Sequence, residues 1–180
     1  DKGYKIIYLD GVATNTGVFD AALSSAGVTF KEGGTNFTNS LLVGTDTTGT
    51  LNAAICNTGV GTGVLAALTS GDDNTALGFN AGTSITTASQ NVAIGSRALD
   101  ADTTGTRNTA VGKDSLDANI DGNDNTAVGR TSLSSNTTGD NNVAFGVGAL
   151  QSNTIGENNT ALGYVSLISN TTSTGNTAVG

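Results

Sequence analysis

The feature that most constrains this chain is a repeat of fixed length. Glycines that close an N-T-A-V-G-like stretch stand at Gly61, Gly78, Gly95, Gly112, Gly129, Gly146, Gly163 and Gly180, each 17 residues after the last. Four residues before each of them is an asparagine: Asn57, Asn74, Asn91, Asn108, Asn125, Asn142, Asn159 and Asn176. Gly44 closes a degenerate S-L-L-V-G one step earlier. Without an insertion or deletion, such an array is a set of like units that stack on their neighbours.

The other columns turn the period into geometry. The residue after Asn is Thr or Val (Thr58, Thr75, Val92, Thr109, Thr126, Val143, Thr160, Thr177), and the residue before Gly is apolar (Val60, Leu77, Ile94, Val111, Val128, Phe145, Leu162, Val179). Between them the residue is tiny: Gly59, then Ala76, Ala93, Ala110, Ala127, Ala144, Ala161 and Ala178. Strand side chains alternate between faces, so the Thr/Val and apolar columns share one face and the Ala column takes the other. Hydrophobicity assigns the apolar face to the interior.

Four residues after the glycine comes Leu65, Leu99, Leu116, Leu133, Leu150 or Leu167, with Gly82 breaking the column. These leucines are a second set of core candidates. Polar stretches such as Asn136 to Asn141 (NTTGDN) offer Gly and Asn for turns that need positive φ. Apolar residues show no sustained i, i+3, i+4 spacing, which excludes helices. The expected fold is all-β, a parallel β-solenoid with one 17-residue coil per repeat. Coils about 4.8 Å apart put like residues over like, and the Asn column becomes a ladder of amides or a set of strand caps.

Side chains this small limit the core: 180 residues weigh only 17.7 kDa and 26 of them are Gly. A coil held by a few Val, Thr and Leu contacts is poorly stabilised alone, because ordering its residues costs roughly 1.5 kcal/mol each. A face kept at Ala lets another backbone approach closely. The Ala column is therefore expected to be the surface of self-association.

The stretches Asn125 to Leu133 (NTAVGRTSL) and Asn91 to Leu99 (NVAIGSRAL) resemble the N-S-V-A-I-G repeats of trimeric autotransporter adhesin heads. The longer pattern with its N-T-T-G-D-N-N turn is more similar still to repeats of bacteriophage tail fibres. The resemblance covers about residues 40 to 180 and implies a left-handed β-roll that assembles as a homotrimer. It departs from the adhesin heads in its 17-residue coil and in Leu at the second inward position. On this reading Ala76, Ala93, Ala110, Ala127, Ala144, Ala161 and Ala178 line the trimer axis.

Residues 1–39 form a different segment, an expected β cap or joint to a preceding fibre section, before the roll of residues 40–180. Five of the eight aromatics fall there. Strands are expected over residues 3–10 and 28–31, and a turn at Gly33-Gly34. The chain starts without Met and stops midway through a repeat, so the natural polypeptide is expected to continue.

Chemistry is sparse. There is no His, and Cys56 is the lone Cys, so neither an enzyme nor a resident cofactor is expected. The acidic turns around Asp72-Asp73, Asp121-Asp124 and Asp140 are a weak candidate for Ca²⁺, though they lack the nine-residue repeat of calcium rolls. A formal charge of −8 argues against nucleic acid, whose binding rests on clustered cations. No run reaches the 18 apolar residues of a membrane span. Ice binding through a flat Thr array is disfavoured here because the Thr column is assigned to the inside.

The expected function is structural: a section of a homotrimeric tail fibre in a virion. It spaces a receptor-binding tip outside this segment and contacts other fibre or tail proteins and, through that tip, a host cell-surface receptor. The alternative is a bacterial surface adhesin whose roll itself attaches. Adding one whole 17-residue repeat is expected to preserve soluble assembly, while deleting one residue within Asn125 to Gly129 exchanges the faces and abolishes it. Soluble yield and circular dichroism of the two variants check this.

Overall fold

A strand of three residues has no stability of its own and persists only beside others. The computed structural model describes residues 30–34, 37–44 and 53–180. Within them β1 (Phe30–Gly34), β2 (Phe37–Val43) and β3 (Ala54–Ile55) precede one short strand per repeat. These are β4 (Thr58–Val60), β5 (Thr75–Leu77), β6 (Val92–Ile94), β7 (Thr109–Val111), β8 (Thr126–Val128), β9 (Val143–Phe145), β10 (Thr160–Leu162) and β11 (Thr177–Val179). β2 and β4 to β11 lie side by side in chain order, all parallel. Register is constant: Thr109 lies opposite Thr126, Ala110 opposite Ala127, and Val111 opposite Val128. The protein is an all-β parallel solenoid of about eight 17-residue turns, with no helix among the described residues.

Faces alternate along each strand as the sequence requires, but the interior is the opposite one. Ala76, Ala93, Ala110, Ala127, Ala144 and Ala161 are buried inside the coil at 2% exposure or less, with Ala178 half-buried on the last strand. The apolar column lies outside. Val60, Leu77, Phe145, Leu162 and Val179 are exposed, and Ile94, Val111 and Val128 are half-exposed. These eight residues are not the core of the roll, and the Ala column, enclosed by its own chain, is not at any axis between chains. The reason is width. Side chains entering the hollow of so small a coil meet the opposite wall, so a methyl is what fits. At Gly59 even a methyl would lie 2.6 Å from Leu42 Cδ2. Leu42 occupies the Ala position of the preceding coil and is itself buried.

The opposite wall is the leucine column. Leu65, Leu99, Leu116, Leu133 and Leu150 are fully buried, and Leu167 packs partly buried against them. Each takes a left-handed backbone, with φ between 47° and 55°. Gly82 breaks the column because Ile85 fills its space, its Cδ1 lying 2.9 Å from where a Cβ would stand. A further left-handed position precedes each ladder asparagine, at Cys56, Asp73, Gln90, Arg107, Asp124, Asn141, Asn158 and Gly175. Within Asn136 to Asn141 the positive φ thus falls on Asn141, an asparagine as the turn composition suggested, while Gly139 has none and Asn136 is buried.

Gly33 and Gly34, expected as a turn, lie within β1, which pairs antiparallel with β2 through a register shift between Glu32 and Gly34. β1 thus occupies the edge of β2 opposite the solenoid. The strand expected over residues 3–10 lies outside the described residues.

At the corner, Gly129 has φ +131°, and a Cβ there would stand 2.5 Å from the carbonyl oxygen of Gly146. Gly129→Ala is therefore expected to lower stability by at least about 2 kcal/mol, from backbone strain and overpacking together. Denaturant melting measures it.

Candidate assembly face and stacked amide columns

Asn and Ala are two residues apart, so the asparagines also point inward, and all from Asn57 to Asn159 are buried. Each amide binds in two directions. Oδ1 of Asn125 accepts the backbone N–H of Asn142 at 3.0 Å, one coil on, while Nδ2 of Asn125 donates to the carbonyl of Gly139 at 2.8 Å. The same pair of bonds recurs at Asn74, Asn91, Asn108, Asn142 and Asn159. At the first coil Ser40 Oγ takes the place of Oδ1 and accepts from Asn57 N–H at 2.7 Å. The column is both ladder and cap: it joins successive coils and binds the otherwise unpaired groups at the strand start.

A second amide column was not singled out from the sequence. Asn119, Asn136 and Asn153 are buried, and Asn170 continues them on the last turn. Asn136 Nδ2 donates to Asn119 Oδ1 and to the Gly139 carbonyl, each at 2.9 Å. Gly139 O thus receives both columns, from Asn125 and Asn136, and Gly156 O likewise receives Asn142 and Asn153. The 17-residue spacing of these asparagines was the available signal, hidden because N-T-T-G reads as surface turn.

Going back one coil, the second column changes chemistry. Asp102 stands where the amides stood, and before it come Ile85 and Leu68, all buried. Its Oδ1 accepts from Gly105 N–H at 2.8 Å and, weakly, from Asn119 Nδ2 at 3.4 Å, while Oδ2 is buried without a partner. Burial, aided by the charge of Asp121, pushes this carboxyl up to about 7 against the hydrogen bonds it accepts.

The remaining acids lie on the surface or bond to backbone. Asp72 and Asp140 accept the N–H groups of Ile55 and Asn123. Arg107 grips Asp124 with two bonds of 2.6 and 2.7 Å, holding that carboxyl below its ordinary range. Arg97 bonds to Asp117 and Asp100. Among the described residues no three acids, Cys or His converge as a metal group requires, and Cys56 is an exposed free thiol.

The candidate functional surface is the outer face of β4 to β11, where a Thr/Val column runs beside the apolar one. Leu77 is 49% and Phe145 53% exposed. The Thr column, assigned inward from the sequence, is at the surface, so the ground on which ice binding was set aside is removed. The neighbouring column, however, steps in size from Val to Phe, which does not make a regular plane. Comparison with known protein families, with curated proteins and with solved structures finds no match to this chain.

Asn125→Ala is expected to cost roughly 1 to 3 kcal/mol, because the buried Asn142 N–H loses its partner while Gly139 O keeps Asn136. Thr126→Ala, one residue away on the outer face, should cost under about 1 kcal/mol. Paired urea titrations separate the two.

Proposed function

We propose that this chain is a structural section of a homotrimeric fibre, most like a phage tail fibre, in which left-handed rolls associate along the outer face of β4 to β11. One observation carries the reading: in every strand from β4 to β11 the larger apolar residue stands on the outer face, in line with those of the neighbouring coils, while the interior is closed by Ala, Leu and Asn. A contiguous exposed apolar strip marks a surface that another molecule covers. A second and third copy fit it by repetition alone, since in register every Leu or Phe level meets its own kind. Burying such a side chain fully contributes roughly 1.5 to 3 kcal/mol, and the strip multiplies this along the rod. The load is mechanical: constant register and corner glycines in backbone contact make a straight spacer. Its partners on this reading are copies of itself, other fibre or tail proteins, and a receptor reached through a tip outside this segment. β1 serves as the cap or joint at the β2 end.

The test follows from the position of the face. Phe145→Asp combined with Leu77→Asp should shift the mass in light scattering from about three chains toward one, with the β circular dichroism retained, because neither side chain enters the coil. Ala127→Leu should instead lose the β signal together with assembly, as its side chain has no room inside. A wild-type chain that is monomeric at micromolar concentration overturns the reading, and thermal hysteresis in such a monomer would favour ice as the occupant of the face.

A further inference from the structure

We infer that Asp102 works as a neutral carboxylic acid standing in for an asparagine amide, which makes its coil the point at which the solenoid loosens as pH rises. The inference rests on what this position does in the neighbouring coils. Asn119, Asn136 and Asn153 each donate through Nδ2 to the carbonyl three residues on, at Gly122, Gly139 and Gly156. That carbonyl also receives the first asparagine column, from Asn108, Asn125 and Asn142. In the Asp102 coil the equivalent carbonyl, Gly105 O, receives Asn91 at 2.8 Å, and the second donor is missing unless Asp102 carries a proton. Its Oδ2 is a buried oxygen without a hydrogen-bond partner; the other such oxygen among the described residues, Asp114 Oδ1, lies 3.9 Å from Arg97. A protonated Oδ2 supplies the hydrogen that Nδ2 supplies elsewhere, while Oδ1 still accepts from Gly105 N–H.

Ionisation removes that donor and leaves a buried charge, with the aliphatic Ile85 one coil back in its column. The Gly105 N–H at 2.8 Å and the amides of Asn119, at 3.4 Å, and Asn108 favour the ionised form but do not outweigh the cost of burial. The charged group that bears on it is Asp121, also an acid. No cation is among the groups that bear on it, and Arg107 is engaged with Asp124 on the exposed surface.

The sign follows from these groups. The folded carboxyl titrates at about 7 against an ordinary 3.8, so the folded state holds the proton more tightly than the unfolded chain. Its contribution is fully present below about pH 4 and is lost as pH rises toward 7. A displacement of about 3 units corresponds to about a thousandfold rise in the opening equilibrium between pH 4 and pH 8.

The test is the pH dependence of stability in the whole chain, wild type against Asp102→Asn, which installs the residue of the next three coils. The stability difference between the two should grow in favour of Asp102→Asn by about a thousandfold in the unfolding equilibrium from pH 4 to pH 8. Amide hydrogen exchange should place the opening in the coils around Gly105 and Asn119. Asp117→Asn serves as the control, since Asp117 is also raised, by partial burial, but lies at the surface against Arg97; it should leave most of the wild-type pH profile in place. The carboxyl carbon of Asp102, followed by NMR, should titrate near neutrality. Parallel pH profiles for wild type and Asp102→Asn, or a carboxyl already ionised at pH 5, would overturn the inference.

Discussion

The bond from one asparagine's Oδ1 to the next coil's backbone N–H governs everything else in this molecule. Three-residue strands make few ladder bonds, and a coil without a helix or a long strand has many backbone groups to satisfy. By placing the amide inside the coil, the chain satisfies a donor of the coil above and a carbonyl of its own coil with one side chain. The same amide fills the hollow, and the space that remains at the Ala position holds a methyl. The small residue inside each strand and the larger apolar one outside it therefore both follow from the amide column.

This inversion explains where the sequence was legible and where it was not. The 17-residue period, the strands, the β-solenoid and the inward leucines from Leu99 to Leu150 could be read, because each depends on spacing and alternation alone. The choice of face could not be read from hydrophobicity. Alternation proves that Val128 and Ala127 point oppositely but is silent on which points in, and the usual preference for burying the larger residue assumes a core wide enough to hold it. Asn125 held the better clue. It shares its parity with Ala127, and an invariant polar residue on the same side as the smallest one points to a narrow interior lined by backbone.

Asp102 illustrates the cost of breaking a column. Where Leu68 and Ile85 fill the second column the coil is closed by aliphatic packing, and where Asn119 and Asn136 fill it the coil is closed by hydrogen bonds. Either solution is complete. The change from one to the other falls at a single residue that lacks the volume of Ile and the permanent donor of Asn, so a buried oxygen without a hydrogen-bond partner sits at the boundary between the two ways of closing a coil.

The constant separation of 17 residues between bonded coils also governs how the chain reaches this structure. Nearly every tie, from Asn142 N–H to Asn125 or from Thr137 to Thr154, closes a loop of the same modest length. Closure entropy depends on loop length, so a new coil added to a formed one faces the same barrier as the coil before it. Among the described residues each strand pairs with strands near it in the chain, unlike β-sandwiches, whose non-local pairings slow their folding. Folding can begin at any coil and travel as a zipper in both directions.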